Sequence, residues 1–172
     1  MTGDAQMLHI RQAGPPDTAK VAEILSEAAR WLEQRGMLMW RDDELVESRL
    51  ADDVAAGLLF IAECDREAAG VVKFQLEDRE FWPDVPQGES AFVHRLAVKR
   101  SFAGGEVSSS LLNWALERAR ALGKKYLRLD CEASRPKLRA LYERFGFAHH
   151  SDRQVGPYFV SRYQYEIETD EL

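Results

Sequence analysis

The chain has 172 residues, 45% hydrophobic and 30% charged, the balance of an ordinary soluble globule and a length that one domain fills, so 1–172 is expected to form a single domain. A net charge of −6 and a pI near 5.3 exclude a general nucleic-acid binder, which needs a basic face to displace counterions. No apolar run is longer than "LLFIA" at 58–62, far short of the ~20 residues that span a bilayer, and "MTGDAQMLHI" lacks a signal-peptide core, so no membrane partner is expected and the default compartment is the cytoplasm.

"MLHIRQA" (7–13) alternates briefly and stops at Gly14-Pro15-Pro16, which predicts a first strand and a turn. Asp17 is placed to cap a helix in which Val21, Ile24, Leu25, Ala28, Trp31 and Leu32 repeat at helical spacing up to Gly36. A second helix is predicted from near Asp42 and Asp43, with Leu45, Val46, Leu50 and Val54 inward, to Gly57. "LLFIAEC" (58–64) and "AAGVVKFQL" (68–76) flank Asp65-Arg66-Glu67 as an antiparallel hairpin, followed by a polar loop over 77–90. "AFVHRLAV" (91–98) is a further strand. The helix after it carries Leu111, Leu112, Ala115, Leu116 and Ala119 on one face. "KYLRLDC" (125–131) predicts a strand, "SRPKLRALYERFG" (134–146) a helix, and "YFVSRYQYEI" (158–167) a closing strand, with a short strand allowed near Phe147. Cys64 and Cys131 each fall in an apolar strand and read as reduced core residues, not as a bridge or metal pair.

The segment "RSFAGGEVSSSLL" (100–112) joins a strand to a helix through two glycines and three serines. A helix N-terminus offers unpaired N–H groups and a partial positive charge, so such a turn can hold a phosphate; it equally matches an ordinary helix start. Glu106 sits within it, where an anion is least welcome. The charge around it is favourable, because residues 94–153 carry 13 Lys and Arg against 6 Asp and Glu, leaving a balance of −13 for the rest of the chain. There is no Gly-Lys-Ser/Thr ending for a nucleoside-triphosphate loop, nor the three spaced glycines of a dinucleotide fold.

Taken together, "HRLAVKRSFAGGEVSSSLLNWA" (94–115) and "LRLDCEASRPKLRALYERFGF" (127–147) resemble the GNAT superfamily of N-acetyltransferases. The resemblance is strongest over 91–147, and earlier elements agree in arrangement. It implies a mixed α/β (α+β) fold of GNAT type: a central, mostly antiparallel twisted sheet of roughly six to seven strands flanked by about four helices. It also implies acetyl-CoA as acyl donor, with the pantetheine arm on the backbone of Leu96, Ala97 and Val98, and the pyrophosphate on the turn of Ala103, Gly104, Gly105, Glu106, Val107, Ser108 and Ser109. The family's Arg/Gln-x-x-Gly-x-Gly/Ala signature is replaced at Ala103, Glu106 and Ser108, and Arg135 follows Ser134 where an asparagine is common. Arg135 and Arg139, with Arg100 and Lys137, can supply cationic contacts to the cofactor instead. No metal is implied.

Tyr142 stands where family members keep a tyrosine that protonates the departing thiolate, although its place in an apolar stripe also suits a core residue. His94 is the first choice for the base, with Glu89 and Asp130 as rivals. Trp31, Trp40, Phe81, Trp82 and Glu89 are candidate substrate contacts, aromatic and acidic groups that suit an organic cation. The expected function is acetyl transfer to a primary amine of a small molecule or peptide-like acceptor by direct attack in a ternary complex. A non-catalytic CoA-binding or regulatory module with a degenerate loop is the alternative, and monomer and homodimer are both open.

Overall fold

At the predicted hairpin the backbone is set by two residues. Asp65 and Arg66 both adopt positive φ, 50° and 69°, the geometry of a two-residue turn whose twist matches the flanking strands. They join β2 (Leu59–Cys64) to β3 (Glu67–Gln75), which pair antiparallel with Phe60 opposite Val72. The computed structural model describes residues 8–37, 40 and 44–168. Met7, Asp42 and Asp43, expected in the first strand and at the start of the second helix, lie outside the described residues.

The elements follow in the order β1 (Leu8–Gln12), α1 (Thr18–Glu33), α2 (Glu47–Ala55), β2, β3, β4 (Ser90–Val98), α3 (Val107–Ala121), β5 (Tyr126–Glu132), α4 (Pro136–Phe145), β6 (Ala148–Val155) and β7 (Tyr158–Glu166). The seven strands form one mixed sheet in the order β1-β2-β3-β4-β5-β7-β6. The β4–β5 pair is parallel; β1–β2, β2–β3, β5–β7 and β6–β7 are antiparallel. The chain packs as two compact units, one of Met1–Lys73 with Arg95–Leu112 and the other of Phe74–His94 with Asn113–Leu172.

In the first unit, Val21, Ile24, Leu25 and Leu32 of α1 are buried, as are Leu50 and Val54 of α2, and all but Leu32 join Leu59, Ile61, Val71 and Ala97 in one core cluster. The predicted cap by Asp17 is replaced by a stronger contact. Its carboxylate accepts two N–H groups of Arg11 at 2.8 Å each and the amide of Gly14 at 2.8 Å, and makes no side-chain cap to α1. A guanidinium fork satisfies a carboxylate better than a single helix amide does.

In the second unit, β5 lies between β4 and β7, with Leu127 and Leu129 buried, while β7 contributes Val160, Ser161, Arg162 and Tyr163 to the interior. The short strand allowed near Phe147 is in fact an eight-residue strand, β6, paired along its length with β7. Its sequence, "AHHSDRQV", is polar and mostly exposed, so the apolar alternation that marks a half-buried strand is missing. The second helix likewise begins at Glu47, later than its predicted start. The four described α-helices all stop near a glycine of positive φ, at Gly36, Gly57, Gly123 and Gly146, as their sequences lead one to expect.

Candidate active site

In the first unit, the second half of β4 and the glycine turn are held by β3. The amide of Lys99 donates to the carbonyl of Ala69 at 2.8 Å. Next to that bond, a Cβ at Gly70 would lie 2.9 Å from the carbonyl oxygen of Ala97 and 3.0 Å from Val107 Cγ1, so only glycine admits this close approach. Arg95 has φ 55°, a left-handed residue inside a strand. Such a residue bends the run and redirects the residues after it, here Leu96, Ala97 and Val98.

After a 3₁₀ turn at Arg100–Phe102, Gly104 takes φ 82°, and Ala103 through Glu106 are exposed. Glu106 immediately precedes α3, and its carbonyl accepts the amide of Ser110 at 2.9 Å and the hydroxyl of Ser109 at 3.1 Å. The serines therefore occupy the first turn of the helix. By helix geometry the amides of Val107, Ser108 and Ser109 have no intrahelical acceptor, and they present the positive end of a 15-residue helix to whatever lies on the turn. The site thus fits an anionic phosphate through its backbone, with the Glu106 side chain exposed beside it.

Arg100 and Trp31 form a stacked pair: the guanidinium lies 3.9 Å from the indole centroid, Arg35 lies 3.8 Å from the same ring, and the Arg100 amide donates to Glu27 at 2.6 Å. Trp40 is half-buried against the core cluster, with the Arg95 guanidinium 5.4 Å from its ring.

The second unit gathers a titratable cluster at the end of the β4–β5 ladder. That ladder pairs Ser90 to Val93 with Tyr126 to Leu129, and His94 and Asp130 are the next residues on each strand. His94 Nε2 lies 2.5 Å from Asp78 Oδ2, and its Nδ1 lies 3.8 Å from Asp130 Oδ2. The imidazole thus bridges two carboxylates through its two different nitrogens, with donor atoms of all three groups within 4.8 Å of one another. Phe81 packs its ring 5.5 Å from the imidazole, and its amide donates to Asp78 Oδ1 at 3.0 Å.

The two carboxyls are pushed in opposite directions. Burial raises Asp130 to about 6, because its charge has little to compensate it; its side chain is 9% exposed and Oδ2 has no hydrogen-bond partner among the described residues. Burial also pushes Asp78 upward, but the hydrogen bond and charge of His94, with the amides of Phe81 and Glu80, outweigh it and hold Asp78 below the usual carboxylate range. Sequence reasoning named His94, Phe81 and Asp130 but missed Asp78. The available signal was an aspartate three residues before Phe81, spaced to accept its amide in a turn.

Tyr142 is 5% exposed, with Phe147 and Tyr163 rings 6.0 and 6.2 Å away. Burial raises its phenol well above the ordinary value, so it stays protonated at neutral pH. Burial likewise raises the Cys131 thiol to about 12, which leaves it un-ionised. Arg135 occupies the residue before α4, and burial lowers it. Arg139 donates Nε–H to Tyr163 Oη at 2.9 Å, and that hydroxyl in turn donates to Glu143 at 2.9 Å.

Trp82 is 2% exposed, with the guanidinium carbons of Arg162 and Arg128 at 4.6 and 5.3 Å from its ring. Arg162 also binds both oxygens of Asp84, at 2.7 and 3.0 Å, and the Phe81 carbonyl at 3.1 Å. Trp82 therefore fastens the 77–89 loop from within. Glu89 immediately precedes β4 and accepts from Arg128 at 3.3 Å; His94 is five positions further along the chain, roughly 16 Å away.

Comparison with known proteins agrees with this architecture. The Acetyltransferase (GNAT) family profile matches residues 20–147. The chain is 32% identical over 139 residues to the uncharacterized N-acetyltransferase YesJ of Bacillus subtilis (strain 168), covering 76% of each. Among solved structures, a GNAT-family acetyltransferase from Listeria monocytogenes superposes with a TM-score of 0.79 at 22% identity, covering 96% of this chain and 98% of that one. The PaiA N-acetyltransferase of Thermoplasma acidophilum, in complex with coenzyme A, superposes with a TM-score of 0.73 at 16% identity, covering 92% and 99%. The chain belongs to the GNAT family of acetyltransferases. Its reaction class is acyl transfer.

Proposed function

We propose that the protein transfers an acetyl group from acetyl-CoA to a primary amine of a small, cationic or peptide-like acceptor by direct attack in a ternary complex. The observation that carries this reading is the imidazole of His94 held between Asp78 and Asp130 on the strand that continues into Leu96–Val98 and the glycine turn. Acetyl-CoA, when bound, supplies an acyl group activated as a thioester. The solved complex of PaiA with coenzyme A on the same fold supports this choice of donor.

Each residue then has a task. The backbone of Leu96, Ala97 and Val98 offers amides and carbonyls to the pantetheine arm, while the amides of Val107 to Ser109 and the φ 82° turn at Gly104 receive the pyrophosphate. Arg135 and Arg139 add positive charge. His94 removes one proton from the acceptor's ammonium, so that its nitrogen can form the new C–N bond as the C–S bond breaks. As the C–S bond breaks, Tyr142, protonated throughout the neutral range, donates its proton to the departing sulfur, and the second proton lost by that nitrogen passes through solvent to restore the phenol, so that one proton in all is released, through His94. Phe81, at the imidazole, lies where an apolar part of the acceptor would pack.

Titration calorimetry with acetyl-CoA and CoA, followed by thiol release across a panel of polyamines, arylalkylamines and peptide N-termini, tests the reading. Micromolar binding and release with at least one amine are expected; no binding at millimolar cofactor would overturn it. Tyr142→Phe should lower kcat by about 10-fold or more while the affinity for acetyl-CoA stays within twofold. Unaltered turnover at every pH would remove Tyr142 from the mechanism.

A further inference from the structure

The ring of His94 meets two carboxylates that differ in every physical respect. Asp78 comes from the loop after β3, accepts hydrogen bonds on both oxygens, and is buried. An ionised carboxylate can only accept, so the His94 nitrogen 2.5 Å from it carries the proton. In the neutral ring this assigns Nε2–H and leaves the basic lone pair on Nδ1. Asp130 comes from β5 and lies beyond hydrogen-bond reach of Nδ1, at 3.8 Å, with its nearer oxygen buried and unpartnered among the described residues. A carboxylate at that distance has little to gain from a neutral ring and much from a charged one.

We propose that Asp78 is a positioning residue for the acyl transfer, fixing the tautomer that makes Nδ1 of His94 the proton acceptor, and that Asp130 stabilises the imidazolium formed when Nδ1 takes the acceptor's proton. The inference rests on the reading of His94 as the base and adds what makes one of its nitrogens basic. Arg162 from β7 and Glu80 from the loop also act on Asp130 at longer range, and the Asp130 charge in turn helps to keep Tyr142 and Cys131 protonated. Burial raises the Asp130 carboxyl to about 6, so it is charged at neutral pH and becomes neutral as pH falls through that value, which agrees with this arrangement. The proton removed from the acceptor is held on Nδ1 and then released to solvent; no further reactant is required.

Asp78 is held in place independently of its charge. The amide of Trp82 donates to its carbonyl at 3.1 Å, and Arg162 grips the loop through Phe81 and Asp84. Asp78→Asn therefore keeps the shape of the contact and removes the charge.

The test uses the full-length protein labelled with ¹⁵N-histidine, with His94 assigned by loss of its signals in His94→Gln. Long-range ¹H–¹⁵N spectra at pH 8 are expected to show the Nε2–H tautomer; a dominant Nδ1–H tautomer overturns the proposal without any activity measurement. Thiol release with acetyl-CoA and the fastest amine of the panel supplies the second readout. Asp78→Asn should lower kcat at least about tenfold and move the acid limb of kcat/KM to lower pH, because one negative charge beside the ring is gone, with acetyl-CoA affinity within twofold. Asp130→Asn should shift the limb in the same direction. Asp84→Asn, which loosens the same loop without touching the ring, should keep the wild-type limb and tautomer. Wild-type kcat and limb in Asp78→Asn, or the same shift in Asp84→Asn, overturns the positioning role. Wild-type turnover in His94→Gln instead overturns the base itself, so the two failures are separable.

Discussion

Glu106→Gln isolates the one feature of the glycine turn that opposes an anion. The residue is exposed, immediately precedes α3 and keeps its carbonyl on Ser110 and Ser109, so the substitution removes a charge and leaves the backbone alone. A phosphate on the amides of Val107 to Ser109 would lie about 6–8 Å from the carboxylate. At an effective dielectric of ~40–80 each phosphate charge then costs about 0.5–1.4 kcal/mol before screening. Two charges, screened over a Debye length of about 8 Å at 0.15 M salt, leave about 0.5–1 kcal/mol, which is about two- to fivefold in Kd.

The same carboxylate favours the positive end of α3, so Glu106→Gln should lower folding stability by about 0.3–0.5 kcal/mol. Calorimetric titration of CoA at 20 mM and 500 mM salt, beside urea unfolding of the free protein, reads both signs. Tighter CoA binding in the variant, most at low salt, with slightly lower stability is the expected pair. A variant that binds CoA no better than wild type at low salt would refute pyrophosphate binding at this turn.

Gly70→Ala should destabilise the fold by about 1–3 kcal/mol, since the new Cβ meets the carbonyl oxygen of Ala97 at 2.9 Å and backbone cannot yield as a side chain does. Urea unfolding checks this, and weaker acetyl-CoA binding should accompany it through the displaced Leu96–Val98 segment; wild-type stability would show that β3 and β4 separate freely there. The Arg11 hydrogen bonds, ahead of burial and the Gly14 amide, lower Asp17 to about 2. A depressed carboxyl stabilises the fold above its unfolded pKa near 3.8 and loses that stabilisation as pH falls from about 4 to 2. Because the Arg11 side chain is 38% exposed, solvent discounts the contribution to about 1 kcal/mol. Asp17→Asn should therefore flatten the acid side of the stability profile over that range, and an unchanged slope would exclude the pair as its source.

The order of elements was legible because their apolar spacing switches cleanly between periods of two and near four, and because glycines end the helices. β6 was not, since a polar strand at the sheet's edge needs no apolar face and is defined by its partner β7. The Asp17 cap failed for a related reason: Arg11 and Glu63 come from paired strands, and their pairing decides which donor reaches the carboxylate first. In the site, His94 and Tyr142 could be named from local pattern and family resemblance. Asp78 could not, because it lies in a polar loop among other acidic residues, and its partner is 16 positions away. Trp82 read from its loop as a candidate substrate contact, whereas Arg128 and Arg162, from distant strands, enclose it.

That enclosure also has a consequence in time. The clamp on the 77–89 loop closes only when Arg162 arrives from β7, across a separation of 78 residues to Asp84, and contacts of such span form late because chain entropy opposes them. During synthesis the N-terminal segments emerge first, so Asp78 is made early and secured last. A nascent chain can possess its first strands, its helices and the imidazole of His94 while still lacking the clamped loop that brings Asp78 to the ring. If His94 and Asp78 act as proposed, competence arrives only with β7, the strand that carries Arg162.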